Sequence, residues 1–477
     1  MKIFQLFGSD LYSKLTILIT GIILTIGFVF HAIMISRSWF FQDDFGFLFR
    51  YGCVSVQDML NPATNFGRPV SRDLYWWVIL KLFGRDAQAF FFVNMSIMIC
   101  CSLLWGIWMR LLGASLSVSL ISATMYMVMI PSIVNLSWIS NSQHIMGHFS
   151  IFLILVLGAL MKRGYIQADF KSWTFITIIF LLGLGCNVFV FFVLPVFMTQ
   201  SVMWNPIQKD TGKMSIFYRM IPMTLAGLLL LFSLARQATS HYSVEFSPET
   251  LIQNIHYYYN SLGMKWYLIP CLIWVVMCLF WGRRRPVLLL LMTAVCFYVP
   301  FAFAKYQRCE NYPALPLLSF LSASSWGIES VLSRPCFKGS SCRLLRTALP
   351  LMLLLAVFLT ASTTRTFFAS NPRGLAEYEF ARVISSRLAI NGGTICFEKG
   401  KESMGSTDHK IPGFWHFLGK GLAFRFFDPP DGKVRHYLLA EGAGCEDRDS
   451  LRVVVHHIDW NYYPEWKKNS EIFENKN

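Results

Sequence analysis

Two adjacent carboxylates stand where a long apolar stretch ends. Asp43 and Asp44 have aromatic residues on both sides. A carboxylate among apolar groups is poorly solvated and binds a proton more readily, which suits a general base acting on a hydroxyl. Further along, Arg68 and Arg72 are four positions apart, a spacing that would place both on one face of a helix. Because guanidinium groups bind phosphate oxygens through forked hydrogen bonds, these residues predict a base beside a phosphate clamp.

The same residues also have a purely structural interpretation. Aromatic side chains are common at a membrane boundary, where they anchor a helix end. Arg68 or Arg72 could form an ion pair with Asp44 or Asp73. The loop alone does not decide between the two interpretations, and the rest of the chain is needed.

The composition indicates the class of protein. Of 477 residues, 55% are hydrophobic and only 14% are charged, whereas a soluble protein has roughly 25% charged residues. We therefore expect an α-helical polytopic membrane protein. The net charge of +15 does not indicate nucleic-acid binding, because lysine and arginine concentrate in the cytoplasmic loops of such proteins.

The apolar segments predict about 11 transmembrane helices with the N-terminus inside. Lys2 and Lys14 precede the first segment, which is too long for a signal-peptide core and lacks a cleavage pattern, so it is expected to stay as a helix. The predicted spans are 15–35, 88–109, 114–134, 145–161, two short helices within 172–204, and then 216–235, 266–282, 286–304, a tenth ending at 331, and 347–367.

The segment 172–204 is expected to form a hairpin. Basic residues flank both of its ends, and one spanning helix cannot have both ends inside. Glycine and asparagine at Gly183–Asn187 suit the tip of such a turn.

Two domains follow from this topology. Residues 1–369 form the membrane domain, with a first outer loop at 36–87. Residues 370–477 have a soluble composition with strand-like segments, which predicts a small α+β domain on the outer side. Six of the ten basic residues in the predicted outer loops lie in the first loop. This departure from the charge rule indicates that the loop binds an anion at the outer face.

Two histidines mark the start of the fourth predicted span. His144 and His148 are four residues apart and would share a helix face. They could line a polar pocket, bind a metal as a pair, or form hydrogen bonds at the membrane interface. A metal site needs a third protein ligand, and the sequence offers no evident one. We therefore predict no metal site, although a divalent metal ion stays open.

The layout resembles that of the GT-C glycosyltransferases, integral membrane enzymes that use polyprenyl-phosphate-linked sugars. The matching features are Asp43 and Asp44 directly after the first span, the Gly67–Pro69 element, and the outer segment Arg308–Pro313 before a late span. A soluble outer domain after the last helix also fits. The resemblance covers roughly residues 1–367.

The resemblance implies transfer of a hexose or pentose from a polyprenyl-phosphate donor to an acceptor hydroxyl. The acceptor would be a cell-envelope glycan, lipid or protein at the outer face of a bacterial inner membrane. In this family an acidic residue of the first outer loop is the catalytic base, so Asp43 or Asp44 takes that role, with Asp43 preferred. A direct displacement would invert the anomeric centre, and no cofactor is required with certainty. The expected substrate-binding residues are Arg68, Arg72, His144, Lys305, Arg308 and Tyr312.

The sequence departs from the family in one place and leaves two other functions open. Many members have a Lys–Glu pair in the middle helices, where this chain has Gly185–Val188.

A lipid-linked oligosaccharide polymerase or ligase would use pyrophosphate donors. A transporter would use Asn187 in a midplane site and should carry ionisable groups deep in its spans. Glu329, the only acid in a late span, lies at that span's predicted inner end. We expect membrane lipids as partners and no nucleic acid.

Overall fold

The computed structural model describes most of the helical part of the chain and three strands near its end. The described residues are 11–36, 40, 44, 47–48, 68–203, 221, 223–225, 227–228, 245–282, 284–304, 309, 311–334, 340–370, 395–399, 437–439 and 451–455.

Among these residues, thirteen α-helices follow one another along the chain. They are α1 Leu11–Ser36, α2 Tyr75–Phe83, α3 Ala87–Leu112, α4 Leu116–Val128, α5 Ile130–Ser137, α6 Ser142–Lys162, α7 Phe170–Cys186, α8 Val193–Met203, α9 Pro248–Ser261, α10 Leu268–Trp281, α11 Arg284–Ala302, α12 Ala314–Leu332 and α13 Ser340–Ser370. A π-helical turn, Pro69–Leu74, precedes α2, and 3₁₀ turns lie at Ile139–Asn141, Val188–Phe192 and Met264–Trp266.

Several of these helices are suited to a lipid bilayer. Within the described residues, five are long and apolar enough to cross a membrane: α3, Ile139–Lys162, α11, α12 and Leu344–Ser362. The count rises to six if the bent pair α4 and α5 is one span. This is the architecture of an α-helical membrane protein. The larger count of 11 spans stays a prediction.

The predicted span 114–134 is not one straight helix. It bends by 45° between α4 and α5. Pro131 has no backbone N–H, so the carbonyl of Met127, four residues earlier, lacks its usual helical donor. The buried His31 of α1 lies 3.0 Å from that carbonyl through its Nε2 atom. Since a carbonyl only accepts, Nε2 of His31 donates, and α1 is thereby fixed to the bend.

Helix α12 lies at the centre of the bundle. In its apolar window 89% of the residues are buried, against 28% in the window of α13. Small side chains on α12 let neighbouring helices approach closely. A Cβ on Gly327 would lie 2.7 Å from the carbonyl oxygen of Trp274. Ser322 accepts a hydrogen bond of 3.0 Å from the indole of Trp105. Small residues of α12 therefore let α10 and α3 pack directly against it.

The predicted hairpin within 172–204 is confirmed. Helix α7 ends at Cys186, and α8 begins at Val193. The rings of Trp173 and Phe197 are 5.8 Å apart, which requires the chain to fold back on itself. Asn187 lies at the tip, between the two helices.

A helix occupies part of the predicted outer loop before α10. Ser247 caps α9, because its hydroxyl accepts a 3.1 Å hydrogen bond from the N–H of Thr250. Asn254 is buried and donates to the carbonyls of Phe301, Ala302 and Ala304 at 2.9–3.1 Å. These carbonyls follow Pro300, at the end of α11. Helix α9 therefore holds the end of α11 in place.

Three strands lie in the C-terminal region. They are β1 Ile395–Lys399, β2 Tyr437–Leu439 and β3 Leu451–Val455, and they coincide with segments whose sequence predicts strands. All pair in parallel, in the order β2-β1-β3. The residues between them lie outside the described part, so the α+β domain stays a prediction.

Candidate functional site

Five of the eight predicted site residues are among those that the structure describes. They are Asp44, Arg68, Arg72, His144 and Tyr312. Asp43, Lys305 and Arg308 lie outside the described residues, so their predicted roles stay predictions.

Asp44 is fully buried against the segment that leads into α6. Its Oδ1 atom accepts a 2.8 Å hydrogen bond from the backbone N–H of Ser140, and the Ser140 hydroxyl donates to the same oxygen. Burial and, secondarily, the Asp44 charge raise the pKa of Tyr75 well above its ordinary value. Asp44 therefore anchors its part of the chain to the 3₁₀ turn before α6.

Arg68 is held by the first turn of the same helix. Its Nη1 atom donates to Oε1 of Gln143. Gln143 is three residues after Ser140, so one short segment holds both a carboxylate and a guanidinium that are 24 positions apart in the chain. The next residue along α6 is His144.

Arg72 has a different partner from Arg68. Its guanidinium lies over the ring of Phe47, 4.1 Å from the ring centre, a favourable cation–π distance. The residues that follow Arg68 form a π-helical turn, Pro69–Leu74, which is wider than an α-helical turn. The backbone N–H of Arg72 donates to the carbonyl of Arg68 at 3.1 Å, and the predicted phosphate clamp of the two arginines stays a prediction.

The π-helical turn is wedged between the hairpin tip and α6. Ser71 is buried and donates a 2.7 Å hydrogen bond to the carbonyl of Cys186, the last residue of α7. The Ser142 hydroxyl donates to the carbonyl of Ser71 at 3.3 Å. A Cβ on Gly185 would lie 2.8 Å from the side chain of Val70. Arg68 is thus presented from a closely packed support.

A small cavity of about 20 Å³ lies beside this segment. Its lining is mainly apolar, with four polar side chains, as is usual for small-ligand sites. Tyr312 stacks on Phe301 with ring centres 4.8 Å apart, and Phe189 meets Phe301 edge to face at 4.4 Å. The lining residues are His144, Gly147, His148, Ile151, Asn187, Phe189, Val190, Phe297, Phe301, Tyr312, Leu315 and Pro316.

The two histidines are buried and line the pocket. Nδ1 of His144 lies 3.0 Å from Nδ2 of Asn187, and Nδ1 of His148 lies 2.9 Å from the hydroxyl of Tyr126. The Tyr312 ring packs 5.4 Å from the ring of His144. No group of three His, Cys, Asp or Glu side chains suited to a metal ion occurs among the described residues.

Sequence reasoning missed several residues that complete the site. Ser140 falls in the polar cluster between two apolar runs, and that cluster was its only signal. Asn187 was expected only as a hairpin tip or a transport residue, yet it contacts His144 across 43 positions. Tyr126 and Phe301 carry no sequence signal, because both lie within ordinary apolar segments.

The arrangement combines an anchored carboxylate, a presented guanidinium and an aromatic pocket with two imidazoles. Such a set can bind an anionic oxygen next to a ring-shaped or apolar group. No protein-family model matches the chain, and no curated protein is significantly similar to it.

Proposed function

We propose that the chain is a membrane glycosyltransferase that transfers a sugar from a polyprenyl-monophosphate donor to an acceptor hydroxyl. One observation carries the proposal. Asp44 and Arg68 are held by Ser140 and Gln143, three residues apart on the segment that continues into the pocket residue His144. A carboxylate and a guanidinium on one short segment beside a pocket are the groups that attack by a hydroxyl and departure of a phosphate require.

The proposed base is Asp43. Asp44 is fully buried, and one of its oxygens already accepts two hydrogen bonds from Ser140, so it acts as the anchor of the pair. Neighbouring side chains point in different directions along a chain. We therefore assign to Asp43 the role of taking the hydroxyl proton as the acceptor oxygen attacks the anomeric carbon.

Arg68 stabilises the leaving group. As the bond from the anomeric carbon to the phosphate oxygen breaks, negative charge grows on the phosphate, and a forked guanidinium binds it without a proton transfer. Lys305 and Arg308 are proposed to join Arg68 there. No second carboxylic acid is required, because a phosphate leaves as an anion. Direct displacement inverts the anomeric centre.

The pocket is proposed to receive the sugar end of the donor. Its rings, Tyr312 and Phe301, offer apolar faces, while His148 is a polar group that can fix the orientation of the sugar. The reaction is placed at the outer face of a bacterial inner membrane, with the C-terminal domain on the same side. The acceptor is a cell-envelope glycan, lipid or protein.

A donor comparison tests this function. The full-length protein in nanodiscs is supplied with polyprenyl-monophosphate sugars or with polyprenyl-pyrophosphate sugars, and transfer to added membrane acceptors is measured. Transfer from the monophosphate alone is expected. Use of pyrophosphate donors only would make the protein a polymerase or ligase. Solute exchange without any transfer would make it a transporter.

A topology experiment tests the proposed orientation. Reporter fusions are made after Arg284, at the start of α11, and after Asn477. Opposite signals are expected, with the site of Arg284 inside and Asn477 outside. Matching signals from the two fusions would rule out this arrangement.

A further inference from the structure

The orientation of one amide at the hairpin tip is fixed by its neighbours. The backbone N–H of Phe189 donates a 3.0 Å hydrogen bond to Oδ1 of Asn187. The other end of the amide, Nδ2, must then face Nδ1 of His144, 3.0 Å away. Reversing the amide would set its NH₂ group against the N–H of Phe189, and two donors cannot bond each other.

This orientation decides which nitrogen of His144 carries the proton. An amide nitrogen only donates, so Nδ1 of His144 must accept from Asn187. A neutral imidazole has one donor and one acceptor nitrogen. The proton of the neutral ring is therefore on Nε2. His144 lines the pocket, and among the described residues Nε2 has no hydrogen-bond partner.

We propose that His144 is a neutral hydrogen-bond donor to a phosphate oxygen of the ligand, and that Asn187 sets this role by fixing the tautomer. Asn187 is a positioning residue, since it acts through His144. The choice of phosphate rests on the proposed function; the tautomer does not. A protonated Nε2 also excludes His144 as a metal ligand in this state, because a metal needs the bare nitrogen.

The surroundings favour an anionic oxygen at this donor. Arg68 is bonded to Gln143, the residue before His144, and its positive charge acts on the His144 ring. His148, on the same helix, is the other titratable group that acts on that ring, and Tyr312 packs against it from the start of α12. A phosphate oxygen that accepted from both the Arg68 guanidinium and the Nε2–H of His144 would gain two hydrogen bonds. The bond from the guanidinium would be charge-assisted.

The tautomer is tested first, without any assay of activity. Full-length protein labelled with ¹⁵N-histidine is examined by NMR, with His144→Gln used to assign the signals of His144. The proton is expected on Nε2 in the wild type. In Asn187→Asp the introduced carboxylate can still accept from Phe189, but it now also accepts from His144, so the proton should move to Nδ1. A wild-type proton on Nδ1, or no change in the variant, would overturn the proposal.

The ligand is tested on the same labelled protein. A polyprenyl monophosphate and inorganic phosphate are added separately at equal concentrations. A shift of the Nε2–H signal by the lipid alone assigns the headgroup as the ligand, and a shift by both shows that phosphate itself is sufficient. If neither compound moves the signal, the phosphate contact is wrong, while the tautomer result stands independently.

Transfer assays supply the third readout. Gln places an amide donor near the position of Nε2, whereas Asn places one near Nδ1, so His144→Gln should retain far more transfer than His144→Asn. Loss of one such donor typically lowers turnover by about 100-fold or more. Equal losses in the two variants would reduce His144 to a packing residue. If the wild type transfers no sugar, the proposed function fails and the tautomer assignment is unaffected.

The pH profile separates positioning from packing. In Asn187→Asp the neutral His144 ring has a bare Nε2, and protonation of the ring at low pH restores the donor. Transfer by this variant should therefore rise as the pH falls, relative to the wild type, and decline as the pH rises. Adding His144→Gln to the variant should abolish that rise. A loss of transfer that is uniform across pH would contradict the assignment.

Discussion

The two ends of the helical bundle use their charged groups differently. The basic end is defined by cationic side chains at helix termini, and the pocket end by the groups around the start of α6. The basic end comprises Arg110, Lys162, Arg163, Arg285 and Arg346, and the pocket end comprises Asp44, Arg68, Gln143, His144 and Asn187.

At the basic end, each cation donates to a backbone carbonyl. Arg163 reaches the carbonyl of Leu111 at 2.6 Å, and Arg346 reaches that of Leu332 at 2.6 Å. Arg110, Lys162 and Arg285 bond the carbonyls of Ala114, Ser201 and Met203 in the same manner. The last carbonyls of a helix lack internal donors and carry partial negative charge, so these cations stabilise the fold.

At the pocket end, charged and polar side chains are held mainly by other side chains. Arg68 bonds Gln143, and His144 bonds Asn187. These side-chain contacts hold Arg68 and His144 in place, while Asp44 and Asn187 also accept from the backbone N–H groups of Ser140 and Phe189. The comparison therefore separates charges that complete helix ends from charges that are presented to a ligand, although both occur in loops beside apolar helices.

The largest effect is expected at the proposed base. Asn keeps the shape of Asp43 but cannot accept a proton at neutral pH. Asp43→Asn should lower transfer by about 10²–10⁴-fold, the usual contribution of a general base. The measurement is initial-rate transfer from a polyprenyl-monophosphate sugar, with binding of the donor lipid as the control for folding.

Asp44→Asn is the matched variant. It keeps an acceptor for Ser140 but removes the negative charge, so we expect lower stability and a smaller loss of transfer than for Asp43→Asn. If Asp44→Asn loses transfer and Asp43→Asn does not, the base is Asp44. Full transfer by both variants would exclude the mechanism.

The next effect compares one arginine from each end. Lysine keeps the charge but not the fork of a guanidinium. Arg68→Lys should lower transfer by about 10–100-fold, because phosphate stabilisation depends on that geometry. Arg110→Lys can still bond the carbonyl of Ala114 and should transfer like the wild type. Equal rates of transfer by Arg68→Lys and Arg110→Lys would remove the distinction between the ends.

The rate of transfer by Arg72→Lys should lie between those of the other two variants, since Arg72 lies over Phe47.

A smaller effect is expected from crowding the hairpin tip. A Cβ on Gly147 would lie 2.9 Å from Cβ of Asn187, so Gly147→Ala should displace Asn187 and destabilise the protein by about 1–3 kcal/mol. The rate of sugar transfer by Gly147→Ala should fall together with its stability. Among the described residues outside α1, no atom lies within 4 Å of a Cβ placed on Gly21, and Gly21→Ala is expected to leave transfer unchanged. Thermal unfolding and initial rates are measured on both variants.

The smallest functional effect is expected at the bend between α4 and α5. His31→Leu leaves the buried carbonyl of Met127 without its donor, at a cost of about 1–3 kcal/mol. The free energy of unfolding should drop, while transfer by the remaining folded protein should stay near the wild-type rate. A loss of transfer without a loss of stability would place His31 in the site.

The sequence predicted what depends on composition and local pattern. The length of the apolar segments predicted helices that can cross a membrane. The basic residues at both ends of 172–204 predicted a hairpin, which the contact between the rings of Trp173 and Phe197 confirms. The bend at Met129 was not predicted, because a uniformly apolar segment shows no helical periodicity whose interruption would indicate a bend. Pro131 was the available signal.

The site was predictable by residue type but not by partner. Asp44 and Arg68 were singled out as chemical groups, yet their partners Ser140 and Gln143 are 96 and 75 positions away. One sequence contains no information about such contacts. The π-helical turn at Pro69–Leu74, which follows Arg68, was also not predicted from the sequence. Local rules therefore place residues on elements, and packing decides which of them meet.

The most direct test of the central claim is a structure of the full-length protein in a nanodisc with a polyprenyl monophosphate bound. The account predicts that the phosphate contacts the guanidinium of Arg68 and lies within hydrogen-bond distance of Nε2 of His144. A phosphate bound among the cations of the basic end, with the pocket end empty, would contradict it.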